Sequence, residues 1–229
     1  MKFYDSLIDE LNSYLSGFNQ ESYSISCSDI WGEDDHQTMI FSRDTAYELS
    51  GCGFNLVTSS PVTDGVTIVG DDLSCIKSDT SFSRISIIQL DETDDEQKAY
   101  NIIRNIEYIK YHFYPTGYMM RTSSVGHREK VRVSLSAIKE GISFHTLGNL
   151  FISKYKENKH VKAVKIIFVT HKGVDYSLIN RIAEKSGDIT MTLDHVMSSV
   201  NFDCDTCKLK SVCDEVEGLR ELHFKDKMN

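Results

Sequence analysis

Three cysteines fall within ten residues: Cys204-Asp205-Thr206-Cys207, then five residues, then Cys213. Two thiolates three positions apart can wrap a single metal centre on a tight turn, and a third can close in from the turn that follows. Runs of this C-x2-C type hold iron–sulfur clusters, usually through four thiolates, and related spacings hold tetrahedral zinc. The spacing favours a 4Fe–4S cluster over zinc, with a metal-free patch of thiols as the plain alternative. No fourth ligand is local. Cys27, Cys52 and Cys75 are the remaining thiols, and His195 or His223 can complete a zinc site. Cys52 lies between Gly51 and Gly53, where backbone can approach a partner closely. Cys27 lies in a loop-like stretch able to fold over the cysteine-rich turn. Asp214-Glu215-Val216-Glu217 reads as an acidic helix start. That places Cys213 at a helix N-terminus, where backbone N–H groups favour the thiolate.

A second group of residues is cationic. Arg121, Arg128, Lys130 and Arg132 share twelve residues with three hydroxyls and Gly126. Guanidinium forks match phosphate oxygens, so this run suits a phosphorylated cofactor. It matches neither the P-loop nor the dinucleotide fingerprint, and the simpler expectation is a solvated loop between strands. Lys154, Lys156, Lys159, Lys162 and Lys165 form a second positive zone, expected as a solvated helix end and strand edge. No G-x-S-x-G elbow or H-E-x-x-H pair occurs, so those hydrolase chemistries find no support. His112 is expected as a packed or surface residue. The pairs Asp34-Asp35, Asp71-Asp72 and Asp94-Asp95 are expected as caps and surface charge.

The elements that must position these groups follow from periodicity. Leu7, Ile8, Leu11, Tyr14 and Leu15 recur at helical spacing, ended by Gly17. Residues 19–36 read as an acidic loop, pinned by Trp31. Strands are expected at Thr38–Phe41, Phe54–Thr58, Val66–Val69 and Ile85–Leu90. A long helix follows, with Thr93 and Glu96 as a capping box and Ile102, Ile106, Ile109 and Phe113 as its apolar stripe. Helices at Leu135–Glu140 and Thr146–Lys156, a buried strand at Val161–Thr170 and a helix at Tyr176–Lys185 complete the order. The pattern predicts an α+β fold with a mixed or antiparallel sheet and packed helices. It divides into an N-terminal helix and acidic loop (1–36), a main domain (37–195) and a cysteine-rich segment (196–229).

Charge and composition narrow the function classes. The chain has 229 residues and a net charge of −9. Residues 1–100 carry 5 Lys and Arg against 19 Asp and Glu, whereas residues 101–170 carry 12 against 4. An acidic chain is a poor nucleic-acid binder, because phosphate neutralisation dominates that affinity. The two halves are expected to neutralise each other across the fold or to leave a local anion-binding surface. Only 2 prolines occur, and no apolar run approaches the roughly 18 residues of a membrane span. The first residues lack the order of a signal peptide. A cytoplasmic protein with reduced thiols is expected, which disfavours a disulfide framework.

Several runs taken together resemble acetyl-CoA synthase, the acetyl-forming subunit of the carbon monoxide dehydrogenase/acetyl-CoA synthase complex, in its middle domain. They are Phe54-Asn55-Leu56-Val57, Val62-Thr63-Asp64-Gly65 and Ile68-Val69-Gly70-Asp71-Asp72, then Val131-Arg132-Val133-Ser134, Gly148 to Lys154 and Val164 to Thr170. The likeness spans residues 37–208 in order. It implies that Cys204 and Cys207 match the first two ligands of the family's cluster–nickel centre, while Cys213 comes sooner than the third. The family's nickel-holding Cys-Gly-Cys and its dehydrogenase-docking domain have no counterpart here. Arg121 to Arg132 occupies the stretch associated with coenzyme A. The resemblance therefore implies a stand-alone iron–sulfur protein with an accessory, electron-transfer or assembly role. It implies a protein partner in a redox or acetyl-CoA pathway, and it does not imply acetyl-CoA formation by this chain alone. A zinc-binding or metal-free interaction module is the alternative.

Overall fold

The computed structural model describes residues 2–25, 31–93, 95–123, 126–197, 206–216 and 219. In chain order these form α1 (Asp5–Leu15), β1 (Glu21–Tyr23), β2 (Thr45–Thr58), β3 (Gly65–Val69), β4 (Thr80–Leu90) and α2 (Glu96–Ile109). There follow β5 (Tyr118–Thr122), β6 (Arg128–Ser134), α3 (Leu135–Glu140), α4 (Phe144–Lys156), β7 (Val161–Val169), α5 (Tyr176–Met197) and α6 (Lys210–Glu215). The strands make one mixed sheet, ordered β1-β3-β7-β4-β2-β6-β5. The β2–β4 and β3–β7 pairs are parallel and the remaining four are antiparallel. The fold is α+β, a seven-stranded mixed sheet with packed helices.

Alternation along the strands sends one set of side chains to each face. Gly51, Gly53 and Asn55 stand beside Phe82, Arg84 and Ser86, and α4 covers this face. Phe144 of α4 stacks on Phe82 and on Phe168, with centroids 6.0 and 4.4 Å apart. Helices α1 and α5 pack across β2 on the other face. Strand β6 pairs with β2 only as far as Cys52. Beyond that point α2, in contact with β2, α4 and α5, closes the edge that β6 leaves open. Leu7, Leu11 and Leu15 of α1, and Leu219 after α6, join the same core as the sheet. The N-terminal helix thus packs into the main body.

Several elements differ from expectation, each for a local reason. Thr38–Phe41 is extended but pairs with no strand, and a short 3-10 turn follows at Ser42–Asp44. Strand β2 begins at Thr45 instead of Phe54, its first half being too polar and glycine-rich to read as buried. The acidic stretch 19–36 contains the exposed edge strand β1. The cap of α2 is Asp95, which accepts from Lys98 N at 2.9 Å, while Thr93 only accepts from Asp95 N. Arg121 to Arg132 is not a loop: it is the end of β5, a turn, and most of β6. Helix α5 runs on to Met197, past Lys185. Among the described residues no helix is long and apolar enough to cross a membrane.

Candidate functional site

Of the expected metal ligands, Cys204 and Cys27 lie outside the described residues. Cys207 and Cys213 are both half-buried and lie on one short structure: a turn at Thr206–Leu209 leading into α6. Lys210 N donates to Cys207 O at 3.3 Å, and Cys213 N to Leu209 O at 3.2 Å. Cys213 therefore sits inside α6 and not at a helix N-terminus. Helix α6 packs on α5, and Val212 and Val216 rest on the core. Helix α6, which carries Cys213 and follows the Cys207 turn, is thus anchored to the body. Among the described residues no three metal-ligating side chains gather at one point.

Cys52 has a different environment. It is fully buried in β2, and its Sγ lies 3.4 Å from Ser83 Oγ. Burial pushes its thiol up to about 12, which favours the neutral form over the thiolate that binds metal. Cys75 is exposed in the turn between β3 and β4. His195 lies in the last turn of α5, and His223 lies outside the described residues.

The four cations fall together on one face of the β5–β6 hairpin. Glu129, Val131 and Val133 are buried, so alternation sends Arg128, Lys130 and Arg132 to the opposite face, and the register sets Arg121 opposite Lys130. Arg121, Arg128 and Lys130 are exposed. Arg132 is committed to the fold: Nη2 donates to Glu48 Oε1 at 2.6 Å and Nη1 to Ile40 O at 3.0 Å. Of three grooves on the surface, about 760, 360 and 610 Å³ in volume, none is lined by any of these four residues. The second positive zone is largely paired, with Lys154 on Glu33 and Glu157, Lys156 on Asp64 and Lys162 on Asp91. Apart from Lys154–Glu157, these pairs, with Arg132–Glu48, join the basic stretch to the acidic half of the chain.

The densest polar chemistry is internal, and no motif announced it. Arg84 and Glu129 form a fully buried ion pair, with Arg84 lying 4.5 Å from the centroid of the Phe151 ring. Thr122 Oγ1 donates to Glu129 Oε2 at 3.1 Å. Nearby, the Lys110 ammonium donates to Glu107 and lies 3.0 Å from His127 Nδ1. Asn55 Nδ2 donates to Glu107 Oε1 at 2.8 Å, and the Tyr155 hydroxyl donates to Asn55 Oδ1 at 2.8 Å. Lys110 only donates, so Nδ1 of His127 accepts and the ring proton rests on Nε2. Burial, then the Lys110 charge, depresses His127 to about 4. Two cations balance two carboxylates around a neutral imidazole. These groups answer one another and make a scaffold where β6 leaves the sheet.

No family model matches the chain, and no curated protein matches it in sequence.

Proposed function

We propose that this chain is a cytoplasmic iron–sulfur protein of the acetyl-CoA synthase type, with an accessory, electron-transfer or assembly role in one-carbon metabolism. The observation that carries the reading is the anchored turn and helix α6 that bear Cys207 and Cys213, both half-open to solvent, with Cys204 three positions before Cys207 in the sequence. The quoted family-like runs support it too, since they fall largely on β2, β3, β6, α4 and β7, the elements of the central sheet and the helix that covers one face of it. Cys52 is a poor fourth ligand because its thiol is buried and kept neutral, which leaves that role to Cys27 or Cys75. A thiolate-held cluster, when bound, supplies one-electron transfer. The chain's own contribution is to hold the cysteine turn against α5. With no nickel-holding Cys-Gly-Cys in the sequence, formation of acetyl-CoA is not assigned to this protein.

Purification without air tests the reading. Broad absorption near 400 nm and about four irons per chain are expected of a 4Fe–4S protein, and both should be lost in Cys207→Ser. Zinc in place of iron, or no metal, would replace the reading with that of an interaction module. Coenzyme A at Arg121, Arg128, Lys130 and Arg132 is a separate proposal, which the open strand face argues against, because cofactors favour concave sites. A rise in melting temperature with coenzyme A, lost in Arg121→Ala/Arg128→Ala, is its test.

A further inference from the structure

We propose that the outward face of the β5–β6 hairpin is a docking surface for an acidic protein segment that carries an apolar side chain. Arg121 and Lys130 stand directly opposite each other, and Arg128 lies two residues along the same face. Like charges set directly across a strand pair are destabilising. Among the described residues no carboxylate pairs with Arg121, Arg128 or Lys130, although the chain holds 34 Asp and Glu against 25 Lys and Arg. In contrast, Lys154, Lys156 and Lys162 in the same stretch of sequence are all paired. The row is continued by Ser50 of β2 and Ser81 of β4, both exposed, so the surface is an open strand face four strands wide.

Beside it lie two apolar side chains that no described residue covers, Met39 (52% exposed) and Phe41 (65%). Arg121 Nη2 touches Met39 Sδ at 4.0 Å. The backbone beneath them is held down: Ile40 N donates to Met119 Sδ at 3.5 Å, Arg132 Nη1 donates to Ile40 O, and the Gln37 amide donates to Met120 O. Arginine, methionine and aromatic groups are enriched in the cores of protein interfaces. Arg121, Arg128 and Lys130 line none of the three grooves, which argues against an enclosed small cofactor at the cations, although Met39 and Phe41 border the 610 Å³ groove; the overall negative charge argues against nucleic acid. An acidic partner is repelled by the rest of this surface and admitted at this face, which fixes its orientation as well as its affinity.

A synthetic peptide of alternating glutamates around a central phenylalanine is the probe, read by fluorescence anisotropy against the full chain. Micromolar binding is expected. It should fall at least tenfold in Arg128→Glu/Lys130→Glu and in Met39→Ser/Phe41→Ser, and steeply with salt. A peptide with lysine for glutamate should not bind. Circular dichroism and melting confirm folding, and the milder Lys130→Gln, expected to weaken binding severalfold, serves if the double reversal unfolds. Three outcomes overturn the proposal: no binding at millimolar peptide, binding indifferent to these substitutions, or equal binding of the phenylalanine-free peptide. Full displacement by equimolar coenzyme A likewise overturns it, in favour of a small-anion site. Cys207→Ser leaves this face intact, so failure here is distinct from failure of the metal reading.

Discussion

Arg84 and Glu129 meet across a strand that belongs to neither of them. Arg84 Nε donates to Glu129 Oε1 at 3.0 Å and Nη2 to Oε2 at 2.6 Å, with both side chains fully buried. They stand on β4 and β6, and β2 runs between. Gly53 leaves the opening, since a Cβ there would lie 2.0 Å from Glu129 Oε2. Removing one partner strands a buried charge, which typically costs about 3–5 kcal/mol, whereas apolar replacement of both is often neutral. Glu129→Leu is therefore expected to lose that much stability in urea titrations, and Arg84→Met/Glu129→Leu to recover most of it. Equal losses in the single and double variants would show that the pair is not coupled.

Much of this architecture could be read from the chain, and the failures have a common cause. Helix α3 and strand β7 sit where the sequence places them: α3 runs between its Ser134 cap and the left-handed Gly141, and β7 is one largely buried apolar run. Strand β6 was hidden because its core-facing position Glu129 is charged, so Arg-Glu-Lys-Val-Arg-Val reads as solvated. The partner that makes this carboxylate a core residue is 45 positions away. Thr38–Phe41 shows the opposite error: an apolar segment held by side chains and not by a ladder. The cation cluster was legible as composition, but its common face appears only with the β5–β6 register. Cys52 was legible as a thiol, but its burial was not.

His127 gives the fold an acid-side weakness. Its ring is held neutral beside Lys110 and Glu107, depressed to about 4 from an ordinary 6.5. The unfolded chain therefore binds the extra proton between these values, so stability is full above about pH 6.5 and falls as pH drops toward 4. At about 1.4 kcal/mol per unit, the loss is on the order of 3 kcal/mol. Backbone φ at His127 is +49°, a conformation that Asn also tolerates. The difference in unfolding free energy between the wild type and His127→Asn, measured from pH 7 to 4, should show this slope. Parallel curves would remove His127 as its source.

The same imidazole presses on α5. A Cβ at Gly187 would lie 2.3 Å from His127 Nε2, which accounts for a glycine inside a helix where alanine is better by about 1 kcal/mol. Gly187→Ala is expected to lose about 1–3 kcal/mol through overpacking. In the His127→Asn background the shorter side chain opens the space, and the same change should turn neutral or stabilising. A double-mutant cycle on melting curves reads the coupling, and additive effects would contradict the contact.

Thiol reactivity separates the core cysteine from the cysteine-rich turn. Cys52, pushed up to about 12 and fully buried, holds on the order of a thousandfold less thiolate at neutral pH than an ordinary thiol near 8.5. Cys75, by contrast, is exposed. Iodoacetamide labelling followed by peptide mass mapping should mark Cys75 within minutes and Cys52 only after urea is added. In protein prepared without air, Cys204, Cys207 and Cys213 should resist labelling while iron is bound and become reactive once it is stripped with an oxidant and a chelator. Cys27 should change in step with them if it is the fourth ligand, and Cys52 should not. Labelling of the three clustered thiols at one rate with and without iron would end the metal reading, whatever the buried thiol does.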